Sequence, residues 1–261
     1  MEAPYIYRSK AKDGTTYFFA YATIYLIRRH KRITLGIHAV ERQETLVATI
    51  TYLLAMLSPL KIRVERLYLD RGFYNVPVIR WLTTLNIPFL MPAVVRGKTG
   101  GTRALLKGRK SYATKYTIHS QDYGCMTHQM RVICKYHKGK QGKHGIQYSL
   151  YAVYRVKVAL HQLHQHYKDR FGIETSYRIK NECRIRTTTK NPVTRFLFVA
   201  LAFILVNLWV YLLWVFVSRT RRGGRLVYRE SFSLKTMLEF LSMAVERHFP
   251  VITCIYLPAI E

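Results

Sequence analysis

The stretch from Ile62 to Pro92 constrains the fold more than any other part of this chain. Residues 62–69 are a strand-like run that stops at Asp70, and Pro77 to Leu85 fits a short helix with proline near its first turn. A second apolar run, Ile87 to Met91, is closed by Pro92. Strand, helix and strand in this order predict an α/β fold.

The residues before this stretch extend the same pattern. Tyr17 to Ile27 and the alternating run Ile33 to Ala39 predict a hairpin. Leu46 to Leu57 carries leucine and isoleucine on one helical face and is followed by Pro59. The predicted order is therefore strand, strand, helix, strand, helix, strand.

The second half of the chain changes character. Between Arg96 and Lys168, Asp122 is the only acid, and short strand-like runs separated by glycines and basic turns predict a β-rich insertion. His161 to Arg184 predicts one helix, Pro192 to Val217 is long and apolar, and Ser233 to His248 fits an amphipathic helix with a serine cap. We divide the chain into four segments, residues 1–95, 96–160, 161–218 and 219–261.

Charge narrows the class of partner. The chain has 42 Lys and Arg against 14 Asp and Glu, a formal net charge of +28, so a polyanion such as DNA or an anionic membrane is the expected partner. An apolar fraction of 49% excludes a disordered chain. Four cysteines without an apolar signal segment at the N-terminus predict a cytoplasmic location.

Two of the few acids, Asp70 and Glu174, stand where they could take part in catalysis. Asp70 closes a strand, where reactive groups gather in α/β sheets, although an aspartate there can also be a simple turn former. Tyr167, Arg170, Glu174 and Arg178 stand at i, i+3, i+7 and i+11, which is one stripe of a helix. Such a stripe is either a solvated face or a carboxylate for metal beside cations for phosphates.

The segment LYLDRGFYNVPVIRWLTTLNIPFLMPAVVRG, followed downstream by Y-x2-R-x3-E, resembles the DDE transposases of the insertion-sequence type 4 group. The resemblance covers roughly residues 5–215. It implies a ribonuclease H-like mixed sheet flanked by helices, with a β-rich insertion before the helix that carries Glu174. It also implies double-stranded DNA, both transposon ends and target, as partner, and a homodimer as the functional form.

By the same resemblance, Asp70 and Glu174 are catalytic residues and ligands of a two-metal site holding Mg²⁺ or Mn²⁺. Two such ions activate the attacking oxygen and stabilise the leaving one in phosphodiester transfer. Tyr167, Arg170 and Arg178 are then the substrate-binding residues.

Two departures from the family pattern set further expectations. Asn181 stands where the family has a lysine, and the neighbouring Lys180 points away from Glu174 on a helix. The family's first aspartate precedes a segment resembling APYIYRSKAKDGT, and only Met1 and Glu2 precede it here. We therefore expect an N-terminally truncated copy that is inactive or nearly so.

Three further patterns leave alternatives open. Cys125, His128, Cys134 and His137 have zinc-ligand types, but residues three apart on a strand face opposite sides, which favours buried thiols and surface histidines. His161, His164 and His166 either help bind phosphate or are exposed neutral side chains. The tyrosines interleaved with the basic residues of the insertion suggest a surface that follows DNA.

Phe196 to Val217 is a membrane span with basic flanks, a buried helix, or a helix left exposed by the truncation, and we expect the buried helix. Two rival functions follow from these features. One is a polybasic membrane protein that spans once, and the other is a DNA-binding transposase remnant without catalysis.

Overall fold

The computed structural model of the protein describes residues 3–12, 15–28, 31–136, 145–168, 170, 172–222 and 224–249. The chain divides into two compact units. Unit 1 comprises Met1–Tyr25 and Leu35–Ile173, and unit 2 comprises Leu26–Thr34 and Glu174–Glu261.

The first half of the chain forms two hairpins and an α/β segment. In chain order its elements are β1 (Ile6–Lys12), β2 (Thr15–Phe19), β3 (Tyr21–Arg28), β4 (Lys31–Ala39), α1 (Leu46–Ala55), β5 (Leu67–Tyr68), α2 (Val76–Thr84) and β6 (Phe89–Pro92). From β3 onwards the predicted order of strands and helices is confirmed. Strand β1 was not predicted, and the strand expected from Tyr17 to Ile27 is divided between β2 and β3. The Asn75 side chain accepts a hydrogen bond from the amide of Val78 at the start of α2, and Pro77 occupies the first turn.

The remaining elements are β7 (Tyr112–Ser120), β8 (Gly124–Tyr136), β9 (Ile146–Tyr154), α3 (Leu160–Lys168), α4 (Gly172–Glu182), α5 (Pro192–Val215), β10 (Ser218–Arg221), β11 (Gly224–Val227) and α6 (Leu234–His248). The predicted serine cap is confirmed, because Ser233 accepts a hydrogen bond from the amide of Thr236 at 3.1 Å.

Unit 1 is built on a five-stranded mixed sheet in the order β5-β6-β9-β8-β7. Strands β5 and β6 are parallel, and the other neighbours are antiparallel. The β-rich residues predicted as an insertion therefore continue the main sheet, because β9 pairs directly with β6.

Apolar side chains cover the two faces of this sheet unequally. Helix α2 places Val78, Ile79 and Leu82 on one face, where they form the larger core with Met130 and Ala152. On the other face, α3 covers only the middle strands in a smaller cluster that includes Leu90, Ile133, Tyr151 and Leu163. The outer part of this second face is polar and open.

Two later predicted elements also differ from those observed. The strand expected at 62–69 is only Leu67–Tyr68, since the Leu67 amide pairs with the Pro88 carbonyl and Pro88 has no amide proton to continue the ladder. The helix expected from His161 to Arg184 is two helices, α3 and α4, and Gly172, a poor residue for a helix interior, begins the second.

Helix α5 is the long apolar helix that the sequence predicts. Among the described residues it alone has the length and hydropathy to cross a membrane. Within unit 2, the Asn207 amide of α5 accepts from the backbone amide of Thr34 at 2.9 Å and donates to its carbonyl at 2.8 Å. The one polar side chain in the middle of this helix is therefore satisfied by protein. Leu197, Ile204 and Tyr211 of the same helix are exposed, so the expectation of a buried helix is met only in part.

Candidate functional site

Asp70 lies at the carboxyl end of β5, at the edge of the sheet. Its carboxylate Oδ1 accepts a hydrogen bond from the amide of Arg71 at 2.7 Å, and so it caps the short turn of helix at Arg71–Phe73. The turn-former role is thus present. The side chain is also 61% exposed, and Oδ2 accepts no hydrogen bond from the described residues. One carboxylate oxygen is therefore available to a ligand.

Arg170 supplies the second contact to this carboxylate. Its guanidinium lies 3.1 Å from Oδ1 of Asp70, although only 14% of the Arg170 side chain is exposed. Arg170 follows the end of α3, and a hundred residues of sequence separate it from Asp70. The sequence predicts Arg170 as a contact to substrate, and the structure makes it the ion-pair partner of the candidate metal ligand.

Tyr167 fixes the end of α3 to the end of β5. It is 4% exposed, and its hydroxyl donates to the carbonyl of Leu69 at 3.2 Å. The Arg170 guanidinium lies 5.3 Å from the centre of its ring. Burial raises the pKa of Tyr167 to about 12, so the hydroxyl remains a hydrogen-bond donor at neutral pH. In the protein without DNA, Tyr167 therefore positions Arg170 beside Asp70.

Glu174 and Arg178 lie on α4, beyond the interruption of the predicted helix. The side chain of Glu174 is outside the described residues, and its role as a ligand stays a prediction. Arg178 is exposed. Lys180 packs with its ammonium 5.6 Å from the centre of the Phe203 ring, and burial lowers its pKa. Lys180 therefore has a packing role within unit 2.

The candidate zinc ligands do not come together. Cys125, His128 and Cys134 lie on β8, which keeps a regular register with β7 and β9, and His137 is outside the described residues. His128 is 8% exposed with Nε2 3.3 Å from the Tyr74 hydroxyl, whereas Cys125 is exposed. Across the described parts of the chain, no group of three or more metal-ligating side chains is found. The expectation of a surface histidine is wrong for His128, and the expectation of a buried thiol is wrong for Cys125.

Most tyrosines of the basic region are structural. Tyr112 donates to the carbonyl of Leu105 and Tyr148 to that of Gly108, and Tyr151 is buried. Tyr123 and Tyr136 are largely exposed. Of the tyrosines interleaved with basic residues, only Tyr123 and Tyr136 therefore present most of a ring to a base. The alternation of tyrosine and lysine in the sequence does not show which rings are exposed.

Among the described acids of unit 1, the buried Glu44 was not predicted. Glu44 bonds His38 Nε2 and the Thr49 hydroxyl, each at 2.7 Å, and its side chain is almost fully buried. These hydrogen bonds hold the pKa of Glu44 below its ordinary value although burial itself raises it. Glu44 therefore fixes the junction between β4 and α1, a role with no short sequence signature.

A model of the protein family described as the transposase DDE domain matches residues 4–208. No curated protein sequence matches the chain. The matched range contains β5, α3 and α4, the elements that carry Asp70, Tyr167 and Glu174.

Proposed function

The chain belongs to the transposase DDE domain family, and from this membership we propose that it cleaves and joins DNA strands with a divalent metal ion. The expectation of an inactive copy stays a prediction, and the cleavage assay below tests it. Membership supports a role in transposition. The finer assignment to the insertion-sequence type 4 group rests on the spacing of Asp70 from Y-x2-R-x3-E.

The observation that carries the proposal is the setting of Asp70. An exposed carboxylate stands at the carboxyl end of a parallel strand, where ligands bind in open α/β sheets. One oxygen is held by Arg71 and Arg170, and the other is available. Mg²⁺ and Mn²⁺ prefer such hard oxygen ligands, so this carboxylate fits the metal that the family uses.

We propose Asp70 and Glu174 as the metal ligands, with Glu174 assigned from the family motif alone. Bound metal would activate the attacking oxygen and stabilise the leaving one. Arg170 would keep a positive charge beside the reacting phosphate, and its planar guanidinium suits two phosphate oxygens. Tyr167 would hold the Leu69 carbonyl and keep the end of β5 in place. Arg178 would contact the DNA backbone.

A cleavage assay tests this function. The purified chain is incubated with Mg²⁺ or Mn²⁺ and DNA that contains both ends of the element that encodes it. Asp70→Asn should lower the cleavage rate at least about a hundredfold, because even an indirect partner of a metal ligand typically contributes 10- to 100-fold. Asp122→Asn, which changes an exposed aspartate in the turn before β8, is the matched control and should cleave like the wild type.

DNA binding without cleavage is the second candidate function. The ion pair between Arg170 and Asp70 favours it, since the carboxylate is already neutralised in the absence of metal. Tight binding of the wild-type chain with no cleavage in either metal would support this candidate. Cleavage by the wild type that Asp70→Asn leaves unchanged would contradict both the metal role of Asp70 and the first proposal.

We also propose that the working form is a homodimer on DNA in the cytoplasm. Two DNA ends must be processed together in transposition, and the protein-bonded Asn207 of α5 favours a packed helix over a membrane span. Light scattering of the DNA complex measures the stoichiometry. Membrane association that survives carbonate extraction would contradict the cytoplasmic location.

A further inference from the structure

A cluster of positive side chains lies on the α3 face of the sheet in unit 1. Strand β8 points Arg131, Ile133 and Lys135 to this face, because alternate residues of a strand share a side. Arg131 donates to the carbonyls of Val156 and Val158, which lead into α3, and Ile133 packs with Leu163 in the middle of α3. Helix α3 therefore follows β8, so that its second half, with His164 and Lys168, lies beside Lys135.

The charges of the two lysines also act on each other and on His164. Lys168 and Lys135 both lower the pKa of His164, after the larger effect of burial, and Lys168 also lowers the pKa of Lys135. The described residues form three ion pairs, and neither lysine takes part in any of them. Like charges held together without a carboxylate among the described residues destabilise each other, and a bound anion would relieve the repulsion.

The ring of His164 is held by a hydrogen bond to Tyr151. Its Nδ1 lies 2.8 Å from the hydroxyl of the buried Tyr151. The pKa of His164 is lowered to about 4 and that of Tyr151 is raised to about 12, so both groups are neutral at neutral pH. In one of the two ring tautomers the hydroxyl donates to Nδ1. The proton of the ring is then on Nε2, which forms no hydrogen bond with the described residues. One neutral donor and two ammonium groups are available together.

We propose that Lys135, Lys168 and His164 bind a phosphate of the DNA backbone away from the cleaved bond. The proposal rests on the proposed function and extends it to a second contact point. Across the sheet, Asp70 is level with Arg131 of β8. Lys135 lies four residues beyond Arg131 on β8, which is three strands from β5, so the backbones of Asp70 and Lys135 are about 20 Å apart. At 3.4 Å per base pair this corresponds to roughly six base pairs of duplex, so one DNA segment can contact both places.

The test measures how DNA affinity depends on salt for a 30-base-pair duplex in EDTA, so that catalysis plays no part. In Lys135→Gln/Lys168→Gln, the slope of log K against log salt should be about two units less steep, and affinity at 0.1 M salt should fall on the order of tenfold per lysine. The matched control is Lys61→Gln/Arg63→Gln. It removes two exposed charges from the loop before β5, at the opposite end of that strand.

The outcomes separate this inference from the proposed function. Wild-type protein that does not bind the duplex would overturn both. Wild-type binding with equal slopes for the cluster variant and the control would overturn the inference alone. Inorganic phosphate is the second probe: if it raises the melting temperature of the wild type and not of the cluster variant, while the DNA slopes are equal, the cluster binds free phosphate and the DNA contact is refuted. Circular dichroism checks that each variant is folded.

Discussion

The two faces of the five-stranded sheet in unit 1 are built from different chemistry. The α2 face buries aliphatic side chains such as Ile79 and Leu82 against Met130 and Ala152. The α3 face buries less, and at its open edge it carries Lys135, His164 and Lys168, with Tyr167 and Arg170 beside Asp70 at the end of β5. The difference indicates that one face stabilises the fold, and the other, with an incomplete cover, is the face for which we propose contacts to DNA.

A matched pair of leucine truncations should give the largest effects on stability. Leu82 of α2 and Leu163 of α3 are both fully buried. Leu82→Ala should lower the free energy of unfolding by about 4–5 kcal/mol, and Leu163→Ala by about 2–3 kcal/mol, because the smaller cluster can collapse around the cavity more easily. Urea denaturation measures both. Equal losses would show that α3 is as firmly packed as α2, against the proposed division of roles.

A matched pair of arginine replacements should give intermediate effects. Arg131 bonds two backbone carbonyls from a half-buried position, and the exposed Arg80 of α2 bonds the carbonyls of Tyr123 and Cys125. Arg131→Leu should lower the free energy of unfolding by about 1–3 kcal/mol, since it leaves less-hydrated carbonyls without a donor. Arg80→Leu should cost about 0.5–1 kcal/mol, because water replaces the donor. The same urea titration measures both. A larger loss for Arg80→Leu would contradict the expectation that the half-buried contacts of Arg131 contribute more to stability.

The effect that is smallest at neutral pH concerns the protonation of His164. The pKa of His164 in the folded protein is about 4, below its ordinary 6.5, because of burial and then Lys135 and Lys168. Between these values the unfolded chain takes up the proton and the folded protein does not, so stability should fall as pH drops from about 6.5 towards 4. Above pH 6.5 this group has no effect.

His164→Gln can still bond Tyr151, and it should make the decline in stability with falling pH less steep. His119→Gln removes an exposed histidine of β7 and is the control, which should retain the wild-type profile. His128, whose pKa burial also lowers, contributes in the same direction and is present in every variant. Thermal unfolding at several pH values gives the measurement, and a profile unchanged in His164→Gln would show that His164 does not titrate in this window.

Much of the local structure could be predicted from the chain. Pro77 in the first turn, the apolar run of β6 and the cap at Ser233 each act within a few residues, so their effects can be read in order along the sequence. The prediction of one helix across residues 161–184 was wrong. A helical spacing of side chains can continue across a break between two helices, and here Gly172 begins the second helix. The length of β5 also depended on its partner, since Pro88 cannot extend the ladder.

The sequence by itself determined an α/β chain with a large positive charge and with Asp70 at the end of a strand, because hydrophobic period, proline positions and charge are local properties. Only the tertiary structure decided that Arg170 pairs with Asp70, that Tyr151 orients His164 and that Glu44 is buried beside His38. These contacts join residues whose burial and direction are fixed when strands and helices pack. The free energy of a charge depends on that packing, and no spacing along the chain encodes it.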